Sequence, residues 1–90
     1  MRPDDPKYSY TYAFYLNAQN RVPQAIQVLQ SVVERKAASP DAYMLLARLL
    51  VTKGDFSGAK RVFEEAARNR ALPEEVRQYF QMQASRFDGP

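Results

Sequence analysis

Apolar positions recur along this chain with a helical period, and the whole pattern then repeats at a fixed offset. In the second segment Val22, Ala25, Ile26, Leu29, Val32 and Val33 are spaced as one face of a 3.6-residue helix. The same stripe returns as Phe56, Ala59, Val62, Phe63, Ala66 and Ala67. The offset that lays Pro6 on Pro40 also lays Ala13 on Ala47, Leu16 on Leu50, Ala25 on Ala59 and Val28 on Val62. Between these identities the substitutions mostly keep their character, as with Leu29 and Phe63 or Asn20 and Gly54. A third proline, Pro73, follows Pro40 at nearly the same spacing. A fixed period of about 34 residues belongs to stacked repeats, in which each unit buries its apolar face against a neighbour.

Punctuation divides the pattern into five helices, predicted at 6–19, 22–37, 40–53, 55–70 and 73–87. Asp5-Pro6 and Ser39-Pro40 each put a capping side chain before a proline suited to the first turn. Gly54-Asp55 reads as a helix stop followed at once by a new N-cap, and Asn20 can take the left-handed conformation of Gly54. Leu72-Pro73 opens the last helix without a capping side chain, although Glu74 and Glu75 suit the positive end of the helix dipole. That helix carries a narrower stripe of Val76, Tyr79, Phe80 and Phe87, bordered by Gln78, Gln81 and Ser85, as fits the end of a stack. One segment competes with this reading. Tyr8-Ser9-Tyr10-Thr11-Tyr12-Ala13-Phe14 alternates with period 2 and has the composition of a strand. Its counterpart in the second unit, Ala42 to Arg48, is a convincing helix, and the repeat decides for helix.

Ninety residues allow one domain with a modest core. Hydrophobic residues make up 46% and charged ones 26%, a globular and not a disordered balance. The net charge of +3 is spread among opposite charges at helical spacing, with no basic stripe and no stacking platform. Nothing in it points to nucleic acid. No apolar run approaches the ~18 residues of a membrane span. The chain has neither cysteine nor histidine, which removes disulfides, thiolate metal sites and the commonest general base. The remaining carboxylate pairs, Asp4-Asp5, Glu64-Glu65 and Glu74-Glu75, make poor catalytic dyads. Neighbours on a helix diverge by about 100°, and Asp4-Asp5 falls in an expected loop. The expectation is therefore no enzyme, no catalytic residue, no metal and no cofactor.

These residues resemble the tetratricopeptide repeat. Its pattern of large-x-x-Leu-small-x-x-large, then Ala-x-x-x-aromatic, is met by Tyr43, Leu46, Ala47 and Leu50, then Ala59, Phe63 and Ala66. The first unit supplies Tyr12, Ala13, Leu16, Ala25, Leu29 and Val32, with Ser9 where a large residue is usual. Ala37 and Ala71 replace the family's closing proline, which leaves room for the second helix of each pair to run long. The resemblance implies an all-α fold of antiparallel helical hairpins stacked as a right-handed superhelix. It would form a single domain over 6–88, with repeat one at 6–39, repeat two at 40–72 and a terminal capping helix at 73–87. The loop-like opening from Met1 to Pro6 reads as a join between repeats, so the chain is expected to be a C-terminal piece of a longer repeat protein.

The resemblance also implies a binding surface. Members generally hold a peptide or protein segment on a concave groove lined by the first helix of each unit. Here that face is Tyr10, Phe14 and Asn17, then Met44, Arg48 and Val51, then Arg77 and Gln81. Some members clamp a C-terminal carboxylate with lysine and asparagine, but Tyr10 and Phe14 stand in those places. An extended, mostly apolar partner segment with an acidic group near Arg48 or Arg77 fits better. A second reading uses the tyrosine-rich first helix, whose Tyr8, Tyr10, Tyr12, Phe14 and Tyr15 point in more directions than one intramolecular face covers. It would make the chain a structural end-segment or a homo-association module.

Overall fold

The computed structural model describes residues 6–36 and 38–87, so Asp4, Asp5 and Ala37 lie outside the described residues. The described residues form five α-helices and no strand. They are α1 (Pro6–Ala18), α2 (Val22–Glu34), α3 (Pro40–Lys53), α4 (Phe56–Arg68) and α5 (Glu74–Ser85). The tyrosine-rich segment is helical throughout, so tertiary context overrides its strand-like alternation.

The two units turn their hairpins in the same way. Asn20 (φ 63°) and Gly54 (φ 89°) both adopt the left-handed conformation. The Arg21 N–H then reaches back to the Leu16 carbonyl at 2.9 Å, and the Asp55 N–H to the Leu50 carbonyl at 2.8 Å. With the Asn20-to-Asn17 and Gly54-to-Val51 bonds, both corners are Schellman motifs one repeat apart. The next helix starts differently in each unit. Asp55 accepts from the Gly58 N–H at 2.9 Å, whereas Arg21 caps nothing and Pro23 stiffens the first turn instead.

Sequential helices pack on one another, and α3 also packs on α1. Ala13, Ala25, Ala47 and Ala59 are all fully buried, with the α1–α2 and α3–α4 pairs in contact. Missing side-chain bulk lets two helix backbones approach closely at such points. Around them lie Leu29, Val32, Leu46 and Tyr43, each about 1.5–3 kcal/mol of burial for a large apolar side chain. An aromatic cluster fixes α5: Phe80 lies 6.0 Å from Tyr43 and 5.9 Å from Phe63, and Phe87 lies 5.9 Å from Phe63, centroid to centroid.

Three expectations change. The second helices do not run long, ending at Glu34 and Arg68. At the first end Lys36 turns left-handed (φ 54°). At the second, Asn69 leaves helical geometry, and its side-chain oxygen accepts from the Ala71 N–H at 2.9 Å, a local turn that stops the helix where proline is absent. Phe56 is 56% exposed and drops out of the α4 stripe. In α5 Tyr79 is largely exposed, and Ala84 joins Phe80 in the core instead.

The last change follows from a one-residue slip. Pro40 is the first residue of α3, capped by the Ser39 hydroxyl, which accepts from the Ala42 N–H. Pro73 is itself the N-cap of α5, so that helix begins one residue later relative to its proline. Phe80 and Ala84 therefore fall one full repeat after Leu46 and Leu50, all four buried, and the period holds through the last helix.

Candidate partner-binding face

Most of α3 is covered. Ala42, Tyr43, Leu45, Leu46, Ala47, Leu49 and Leu50 are buried between the flanking helices. Outside the core remain Pro40 and Lys53 at the helix ends, Thr52, and a strip of Asp41, Met44, Arg48 and Val51. A spacing of three or four residues places these side chains on one face. On α1 the matching strip is Tyr10, Phe14 and Asn17. Tyr10 and Asn17 are half-buried, Phe14 is more than half exposed, and the Tyr10 and Phe14 rings stand 6.3 Å apart. The expected α1 and α3 residues thus form two neighbouring strips on helices that touch.

The expected α5 residues are placed otherwise. With the register set by Phe80 and Ala84, Arg77 takes the place of Tyr43 and Gln81 that of Ala47. Arg77 is half-buried, and its Nε is enclosed without a hydrogen-bond partner among the described residues. Gln81 is exposed, and its carbonyl accepts from the Ser85 hydroxyl. Gln78, Met82 and Ser85 hold the register of Met44, Arg48 and Val51, and all three are exposed.

Between α3 and α5 lies a cleft of about 410 Å³. Arg48, Val51 and Thr52 form its α3 wall, Phe63 its floor, and Gln83, Arg86 and Phe87 its far side. Sequence reasoning identified Arg48 and Val51 for this surface and missed Gln83, Arg86 and Phe87. The available signal was the spacing of the α5 stripe, which a proline-based alignment obscured. A larger hollow of about 650 Å³ sits at the ends of α2 and α4, around Tyr43 and Asn69. There the Asn69 amide donates to the Tyr43 hydroxyl at 2.9 Å. Burial pushes the Tyr43 hydroxyl above its ordinary pKa, Asn69 pulls it down, and the Glu65 charge pushes it up again. Its rim mixes Glu34 and Glu65 with Lys36, Arg68 and Arg70, which favours no sign of ligand charge.

The outer side of α1 is open as well. Tyr8, Thr11, Tyr12 and Tyr15 occupy the register of Ala42, Leu45, Leu46 and Leu49, all of which are buried in α3. The three tyrosines are 40–57% exposed, and Tyr8 and Tyr12 stack at 6.5 Å.

Among the described residues no group of three or more His, Cys, Asp or Glu is placed to hold a metal ion, and no helix is long and apolar enough to cross a membrane. Paired helices with buried alanines, recurring at a fixed offset, define a helical-hairpin repeat protein. The family model for the tetratricopeptide repeat matches residues 16–84, and the chain belongs to that family. Its members generally mediate protein–protein interaction. No curated protein and no solved structure matches the chain.

Proposed function

We propose that this chain is a non-enzymatic interaction module that holds a segment of a partner protein against the outward strips of α1 and α3. The observation that carries this reading is the cleft beside α3. Arg48 and Val51, two of the few α3 side chains outside the core, form one wall of a cavity that α5 closes from the other side. Tyr10, Phe14 and Met44 extend an apolar and aromatic path toward α1, with Asn17 as a polar contact. Aromatic residues, methionine and arginine are the types enriched at interface cores. Affinity comes mainly from covering the aromatic surface, and Arg48 orients the segment. Selecting a random-peptide library on the parent and on a folded Arg48→Glu variant tests this. Peptides held by the parent and released by the variant support the reading. Equal retention by both proteins contradicts it.

A second reading is favoured by the exposed tyrosines of α1. They stand at the positions by which α3 docks onto the preceding unit, so this face suits another helical hairpin, including one from a second copy. Sedimentation at two protein concentrations tests it. A mass that rises with concentration, and does not rise for Tyr12→Ser/Tyr15→Ser, supports association through α1.

A further inference from the structure

We infer that the α3–α5 cleft takes a partner segment in which a bulky apolar side chain is adjacent to an aspartate or glutamate. This inference rests on the proposal that the outward face of α3 binds a partner, and it specifies that partner's chemistry.

Two features of the lining carry it. The first is charge of one sign: the ionisable side chains lining the cleft are Arg48 and Arg86, with no carboxylate among them. Both are exposed, and neither guanidinium has an ion pair or hydrogen bond among the described residues. Arg48 on α3 and Arg86, the residue that follows α5, therefore present uncommitted cations to the same space. A guanidinium offers planar paired donors that match a carboxylate, and its stem lies well on apolar surface.

The second feature is an apolar interior. Ala47, Val51, Phe63 and Phe87 line the cleft beneath the arginines, and Phe63 is nearly buried by its contacts with Phe80 and Phe87. That floor is already packed and is pre-formed for an apolar side chain. A volume of about 410 Å³ is near the lower end of the roughly 300–1,000 Å³ typical of ligand pockets. It suits one or two side chains and not a folded surface. Insertion of the apolar group would also exclude water from the arginines and strengthen their attraction to the carboxylate.

The test uses an array of random dodecapeptides, acetylated and amidated so that the only carboxylates are side chains. Expected is enrichment of Asp or Glu within two residues of Leu, Phe or Met among bound peptides. Changing that acid to its amide should weaken binding about three- to tenfold, the size of one charge-assisted contact. Arg48→Glu/Arg86→Glu should turn the preference toward Lys or Arg. If the double variant does not fold, Arg86→Gln alone should lower the acidic enrichment. Bound peptides with no acidic preference, or an acid-to-amide change under twofold, overturn the inference while leaving the groove reading in place. Binding confined to a parallel array of the same peptides with free C-termini overturns it in favour of a terminal clamp. Failure of the parent to bind any peptide at millimolar concentration removes the groove reading, and this inference with it.

Discussion

The Asn69 amide donates a buried hydrogen bond of 2.9 Å to the Tyr43 hydroxyl, tying the end of α4 to the start of α3. The same asparagine stops α4 through the bond from the Ala71 N–H to its side-chain oxygen. One side chain thus serves as helix stop and cross-helix tether, in a chain where Ala71 replaces the family's closing proline. Asn69→Ala should destabilise the fold by about 1–3 kcal/mol, as expected for a buried group that loses its partner. Tyr43→Phe, which keeps the ring, should lose about 1 kcal/mol. Urea titration of both variants checks the order. Equal losses would show that the helix stop adds nothing to the tether.

Tyr43 also predicts a pH dependence. Burial is the largest influence on its hydroxyl and raises the folded-state pKa above that of the unfolded chain, whose tyrosines titrate near ~10. The stabilisation is therefore fully present below pH ~10 and is lost as pH rises through the folded-state value, because ionisation favours the unfolded chain. The melting temperature of the parent should fall more steeply above pH ~10 than that of Tyr43→Phe. Parallel curves for the two proteins would contradict this assignment.

Ala59 is fully buried in α4, and α4 packs on α3. Ala59→Leu forces bulk into a close crossing, and such overpacking typically costs about 1–3 kcal/mol. For a domain of this size each kcal/mol lowers the melting temperature by about 4–8 °C. A variant melting with the parent would place Ala59 away from the crossing and count against the repeat alignment.

Gly58 and Asp55 act together. A Cβ at Gly58 would sit 2.5 Å from an Asp55 carboxylate oxygen, and it is the Gly58 N–H that Asp55 caps. Gly58→Ala should displace the cap, with a loss of about 0.5–2 kcal/mol that outweighs the gain in helix propensity. In an Asp55→Ala background the same change should become stabilising, since only the propensity gain remains. A double-mutant cycle by thermal melting reads the coupling. Identical effects in both backgrounds would mean the cap is not disturbed.

Much of the fold was legible because local and repeat-level signals agreed. Ser39, Gly54 and Asp55 mark ends that any helix would recognise, and Asn20 became readable as a stop through its match to Gly54. The segment from Tyr8 to Phe14 shows the limit of local reading, since only its repeat partner from Ala42 to Arg48 revealed the helix. The α5 register was misread. Pro73 looks like Pro40, yet one is a cap and the other lies inside its helix, a difference set by the Ser39 hydroxyl. The spacing of Phe80 and Ala84 from Leu46 and Leu50 carried the true register, and their burial shows it. Arg86 and Phe87 were missed for the same reason, since the cleft they close forms only once α5 is rotated into place. The α1 and α3 strips came from the family resemblance, which assigns the groove to the first helix of each unit, and not from a local signal in the residues themselves.

Groove binding is tested most directly by the map of amide chemical-shift changes when a selected peptide is titrated into the labelled chain. Changes should concentrate at Tyr10, Phe14, Met44, Arg48 and Val51 and around Arg86, with Gln24 and Gln27 on α2 unmoved. Changes centred on α2, or on the hollow around Tyr43 and Asn69, would contradict it.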